Sequence, residues 1–229
     1  MKFDVVTLFP ELINSHMNFS IMKRAIEDSV ISVSAYNPRD FSLDKHKKVD
    51  DTPYGGGAGM VLTPQPYVDC YESIIKNNNS ITLMMTPQGK PFNDEMSNVL
   101  SKYDQIIILC GHYEGFDERI RDIIKPKEVS IGDFVLTGGE LPALCLIDSI
   151  SRKIEGTLGK IESAHDDSFS DGLLEYPQYT KPREYRGLKV PEVLLNGNHK
   201  LIEEYRFQQK IDRTKLKRPD LYEKWINKN

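Results

Sequence analysis

Residues 105–110 read QIIILC, apolar at every position after the glutamine. A strand with one wet face alternates polar and apolar residues. A short run without alternation fits a strand covered on both faces, as in a parallel sheet flanked by helices. Working outward, KFDVVTLF (2–9), ISVSAY (31–36), ITLMMT (81–86) and EVSIG (128–132) read as further strands. Between them lie stretches with helical spacing: SIMKRAIEDSV (20–30), PQPYVDCYESIIKN (64–77), NDEMSNVLSKY (93–103), DERIRDIIK (117–125) and GELPALCLIDSISRKI (139–154). Asn93 or Asp94 is suited to cap the third of these. Strand–helix alternation of this kind predicts an α/β fold built on a parallel sheet. Beyond residue 155 the character changes. Residues 155–190 are rich in Gly, Ser, Asp, Pro and Tyr without sustained period, and from 191 onward helical spacing returns, broken at Asn-Gly and Arg-Pro. That pattern predicts a connecting segment followed by a small helical domain.

The chain has 229 residues, enough for one ordinary domain or a larger and a smaller one. A net charge of −4 means that any affinity for nucleic acid must come from local clusters rather than from the whole surface. Cys70, Cys110 and Cys145 are odd in number, far apart and set among apolar residues, so they are expected as reduced core residues. The opening residues MKFDVVTLFP read as a first strand rather than a signal, and no apolar run approaches the length of a membrane span. These features lead us to expect a soluble, cytoplasmic protein.

Glycine-rich loops follow several of the expected strands. YGGGAGM (54–60) lacks the Lys and Ser or Thr that a phosphate-binding P-loop carries after its last glycine, and it lacks the spacing of a dinucleotide fingerprint. It lies within the long loop 38–63, beside Lys45, His46, Lys47 and Lys48, which suits a flap over an anionic polymer. TPQG (86–89), CGHYEG (110–115) and IGDFVLTGG (131–139) each follow a strand, where ligand sites of α/β sheets form. Glycine there lets a backbone or a flat ligand approach closely.

Taken together, VDDTPYGGGAGM, TPQGKPF, LCGHYEGFDERI, SIGDFVLTGGELPALCLIDSISR and DDSFSDGLLEYPQYTKP resemble the bacterial tRNA (guanine-N1)-methyltransferases, over nearly the whole chain. The resemblance implies membership of the SPOUT class, whose parallel sheet carries a deep C-terminal trefoil knot. It implies a knotted domain over 1–160, an interdomain linker over 161–172 and a helical tRNA-binding domain over 173–229. It also implies S-adenosylmethionine as cofactor, held largely by main chain. The matching positions are Met85, Thr86, Pro87, Gln88, Gly111, Glu114, Ile131, Gly132, Asp133, Phe134, Val135, Leu136, Gly138, Gly139 and Pro142. His112 falls where many members of the family carry Arg, and no catalytic role is assigned to it.

The implied reaction moves a methyl group to N1 of the guanine at tRNA position 37, in tRNAs with a preceding guanine. N1 carries a proton at neutral pH, so the site needs a base for that proton and a cation or donor for O6. Asp167 matches the family's proposed base and Arg152 its essential arginine. A helix-end arginine complementing the dipole is the plainer reading of Arg152. The family further implies a homodimer whose active site is shared between subunits, and a possible Mg²⁺ for which Glu114 is a candidate ligand. Residues 199–218 hold seven Lys or Arg against three acids. Lys200, Arg206, Lys210, Arg213, Lys215, Lys217 and Arg218 are therefore candidates for tRNA phosphate contacts. Two other functions stay open here: another SPOUT RNA methyltransferase, and a catalytically silent RNA-binding module that keeps the knot.

Overall fold

In the computed structural model, described over residues 1–158 and 167–228, five parallel strands form the centre. They are β1 (Lys2–Val6), β2 (Ser32–Tyr36), β5 (Ser80–Pro91), β6 (Gln105–Cys110) and β7 (Lys127–Ser130), in the order β2-β1-β6-β5-β7. Helices α1 (Pro10–Met17) and α2 (Ser20–Glu27) carry the chain from β1 to β2. A two-stranded ribbon, β3 (Asp50–Asp51) with β4 (Val61–Leu62), and helix α3 (Pro64–Glu72) lead to β5. Helices α4 (Asp94–Leu100), α5 (Glu118–Ile124) and α6 (Glu140–Ser151) follow β5, β6 and β7 respectively. The chain divides into two compact units, Met1–Gly159 and Lys160–Asn229.

β6 is buried at every residue, as the apolar run predicts, and its side chains feed two separate cores. Ile106, Ile108 and Cys110 join Phe3, Val5, Ile13, Leu146 and Ile150 on one face. Ile107 and Leu109 join Val6, Tyr67, Met84 and Ile120 on the other. Period-2 alternation along one strand thus supplies both layers of a helix–sheet–helix sandwich. Asp4 is also fully buried, and its carboxylate is satisfied by Gln105 Nε2 at 2.6 Å, the Tyr36 hydroxyl at 3.0 Å and Lys2 Nζ at 3.1 Å. Asn93 caps α4, accepting from the Met96 N–H at 2.8 Å.

Several elements differ from their sequence reading. The strand expected to end at Thr86 continues to Pro91: Met85 and Lys90 both pair with Val129, so residues 86–89 bulge out and the strand then resumes. Helix α1 had no sequence-based assignment; Pro10 enters at its first turn, where a missing N–H costs nothing. Cys70 and Cys110 are buried as expected, and burial pushes the Cys70 thiol up to about 12. Cys145 is a correction. It is exposed, one turn along α6 from the half-exposed Leu141, so it lies on the helix face turned away from the sheet.

Among its described residues the second unit is mostly irregular up to residue 198, apart from the hairpin of β8 (Glu184–Tyr185) and β9 (Leu188–Lys189), and helical from His199 onward. Its helices are α7 (His199–Lys217) and α8 (Pro219–Lys228), separated at Arg218-Pro219 as the sequence predicts. Trp225 packs against Tyr222 and Phe207, with ring centroids 6.3 and 6.4 Å apart. Residues 171–174 are tied into this unit: Leu173 is buried, the Leu174 N–H donates to Thr214 Oγ1 at 2.8 Å, and Asp171 pairs with Lys210.

Candidate active site

Beside the bulge of β5 and past the carboxyl ends of β6 and β7 lies a cavity of about 470 Å³, within the usual range for a small-molecule site. Three segments build its wall. Residues 85–88 run from β5 into its bulge, residues 111–116 follow β6, and residues 129–139 run from the last residues of β7 to the start of α6. The bulge is fixed by contact with β7, since a Cβ on Gly89 would lie 2.3 Å from the Val129 backbone N. The second and third segments touch directly: the Gly139 N–H donates to the Gly111 carbonyl at 2.9 Å, and His112 and Gly138 form an antiparallel bridge. This close approach requires glycine. A Cβ on Gly139 would meet Cys110 Cα at 2.7 Å and Gly111 N at 2.9 Å, both main-chain atoms that cannot step aside. Gly139→Ala is therefore expected to destabilise the fold by about 1–3 kcal/mol and to weaken ligand binding in the cavity, measured by thermal melting and cofactor titration.

All of the cofactor positions named from the sequence line this cavity except Asp133. Asp133 is the apex of a three-residue turn in which the Phe134 N–H donates to the Gly132 carbonyl at 3.0 Å, and its side chain is exposed. Sequence reasoning missed several lining residues, among them His112, Glu118, Arg121 and Ser130. Arg121 is held by Glu118 at 2.9 Å and by Glu128 at 3.4 Å. His112 Nε2 lies 2.8 Å from Glu140 Oε2, and Glu140 Oε1 accepts from the Thr7 hydroxyl at 2.6 Å. Beneath the cavity the buried Cys110 thiol is pushed well up by burial, and the Glu140 charge adds to the effect.

The glycine flap is joined to the cavity rim by main chain. The Glu114 N–H donates to the Met60 carbonyl at 3.0 Å, and the Leu62 N–H to the Gly115 carbonyl at 2.9 Å. A Cβ on Gly59 would sit 2.3 Å from Glu114 Oε1, so glycine there lets the flap close against that carboxylate. At its far end Tyr54 is fully exposed, and the neighbouring Gly55 and Gly56 have positive φ with open space around them.

The two expected catalytic residues fall in different compact units. Arg152 is the half-buried C-cap residue of α6. Asp167 is half-buried and opens a tight turn whose carbonyl accepts from the Ser170 N–H at 3.2 Å and its hydroxyl at 2.8 Å. Asp166 and His165, which precede Asp167 in the chain, lie outside the described residues.

Of the cations on α7, Lys200, Lys215 and Lys217 are exposed. Arg206 lies over the Tyr176 ring at 4.7 Å, Arg213 is half-buried, and Arg218 forks onto Asp220 at 2.7 and 2.9 Å. Lys210 corrects the sequence reading. It is buried and its ammonium is taken by Asp171, an ion pair that anchors residues 171–174 rather than leaving a charge for phosphate.

The family model described as tRNA (Guanine-1)-methyltransferase TrmD matches residues 1–224. The chain belongs to this family. Similar relatives, each named tRNA (guanine-N(1)-)-methyltransferase, come from several bacteria. That of Clostridioides difficile is 59% identical over 227 residues, covering 98% of both chains. That of Lachnospira eligens is 55% identical, covering 100% of this chain and 98% of its own. That of Staphylococcus aureus strain Newman is 53% identical, covering 98% and 92%. The parallel α/β sheet agrees with the SPOUT fold of the family. Among the described residues no helix is long and apolar enough to cross a membrane, and no group of three or more ligating side chains could hold a metal ion.

Proposed function

We propose that this chain transfers a methyl group from S-adenosylmethionine to N1 of the guanine at tRNA position 37, where another guanine precedes it. One observation carries the reading: in a chain of this family, the bulge of β5 and the segments after β6 and β7 meet in one cavity, with Gly111, Gly138 and Gly139 where two of them touch. Backbone N–H and C=O groups at such a wall can read an adenine edge and enclose a bent cofactor. The main-chain contacts of Gly138 and Gly139 with His112 and Gly111 support the reading that the chain is knotted here.

In the reaction, N1 loses its proton to the Asp167 carboxylate as its electron pair attacks the methyl carbon. The bond from that carbon to the sulfonium breaks, and S-adenosylhomocysteine leaves as a neutral thioether. Charge that moves to O6 is met by Arg152. Asp167 and Arg152 would come together across a homodimer, the linker of one subunit closing over the cavity of its partner. Glu114, at the rim under the flap, would be the protein ligand for Mg²⁺, which commonly takes one or two carboxylates and keeps waters for its remaining positions. Lys200, Lys215 and Lys217 offer the exposed charge for tRNA phosphates. The reaction places the protein in the cytoplasm, where its substrate is.

The test is incorporation of labelled methyl into a tRNA transcript with guanine at position 37, beside the same transcript with adenine there. Label only in the first is expected. Label at another nucleotide would make this a different SPOUT methyltransferase. No label in either, with the cofactor still bound, would make it a silent RNA-binding module.

A further inference from the structure

We infer that Glu140 is a positioning residue of the cofactor cavity, acting through His112 to hold the glycine pair 138–139 against the end of β6. The inference rests on the reading that the cavity takes S-adenosylmethionine. Glu140 is the first residue of α6 and only 3% exposed. A carboxylate in such surroundings is costly unless its oxygens are engaged, and both are. Oε1 accepts from Thr7 at the end of β1, and Oε2 from His112 just past the end of β6. An ionised carboxylate can only accept, so the imidazole carries its proton on Nε2. Thr7 Oγ1 in turn accepts from the Phe9 N–H at 2.9 Å, and the Phe9 ring lies against the imidazole at 4.8 Å. The contacts thus close into a circuit: Thr7, Glu140, His112, Phe9 and back to Thr7.

The circuit bears directly on the cavity wall. A Cβ on Gly138 would sit 2.2 Å from His112 Nε2 and 2.5 Å from Glu140 Oε2, so the hydrogen-bonded groups occupy the space that glycine leaves. Gly138 bridges to His112 and Gly139 hydrogen-bonds to Gly111, both through main chain. If the His112–Glu140 contact loosens, the backbone groups that face the ligand move with it. The fully buried Asp4 makes an instructive contrast: it is equally well satisfied, but its partners Gln105, Tyr36 and Lys2 lie outside the cavity lining, whereas the Glu140 partner His112 is part of it.

The experiment titrates S-adenosylhomocysteine into the full chain by calorimetry and measures steady-state methyl transfer. His112→Phe keeps a ring against Phe9 but has no proton for Glu140, whereas His112→Gln can still donate. His112→Phe is expected to weaken binding about tenfold, with KM for the cofactor rising by more than kcat falls and KM for tRNA unmoved. His112→Gln should stay within about threefold of the parent chain. His112→Phe binding as tightly as the parent overturns the inference, and so does His112→Gln binding as weakly as His112→Phe. Should His112→Phe not fold, Thr7→Val decides, since it deletes one hydroxyl: about a threefold weakening supports the inference, and unchanged affinity overturns it. A parent chain that does not bind S-adenosylhomocysteine at all overturns the cavity reading itself, and the inference with it.

Discussion

Replacement of Asp167 by asparagine is expected to lower the rate of methyl transfer by about 10²–10⁴, the usual contribution of a positioned general base. Asparagine matches aspartate in shape, so the turn anchored by the Asp167 carbonyl and Ser170 should survive. Cofactor affinity should survive too, because the substitution leaves the loops that build the cavity unchanged. What asparagine lacks is the ability to take the N1 proton. The variant should therefore gain activity as pH rises and guanine N1 ionises unaided, a climb extending beyond the pH at which the parent enzyme levels off. Single-turnover rates across a pH series, with cofactor binding followed in parallel, check both parts. Turnover within threefold of the parent at neutral pH would remove Asp167 as the base.

The second large effect is expected at Arg152. Electrostatic support for a developing oxyanion is worth about 2.7–4 kcal/mol, so Arg152→Ala should cost about 10²–10³ in kcat with a smaller change in KM for the cofactor. The competing account treats Arg152 as the cation at the C-terminal end of α6, where it is the cap residue. A helix-dipole interaction contributes only about 0.3–1 kcal/mol, and to stability rather than rate. The two accounts separate cleanly. Loss of kcat with an unchanged melting temperature supports a role at O6, and a small fall in melting temperature with kcat intact supports the dipole role alone. Arg152→Lys should fall between the parent and Arg152→Ala, since an ammonium keeps the charge but not the planar fork.

The core strands were legible because their determinants are local. The apolar run after Gln105 marks β6 wherever the rest of the chain goes, and Pro at the entries of α3 and α8 marks helix starts by its own geometry. The cavity residues were legible for another reason, the long glycine-bearing motifs that match a family. Residues whose role depends on what lies opposite them were not legible. In the sequence Lys210 is one cation among seven, and in the fold Asp171 takes its charge. Cys145 looked like a core residue because its neighbours in sequence are apolar, yet helical geometry turns it outward. His112 and Glu140 are 28 positions apart, and nothing in either local sequence declares the pair.

By itself the sequence determined the alternation of strands and helices, the double burial of β6, the break at Arg218-Pro219 and the family. These follow from side-chain periodicity, backbone restriction and motif, all carried by neighbouring residues. Only the tertiary structure decided which glycines touch another segment, that residues 86–89 bulge from a continuing strand, and that Thr7, His112 and Glu140 close around the cavity wall. Those facts depend on distances between segments far apart in the chain, and only packing sets such distances.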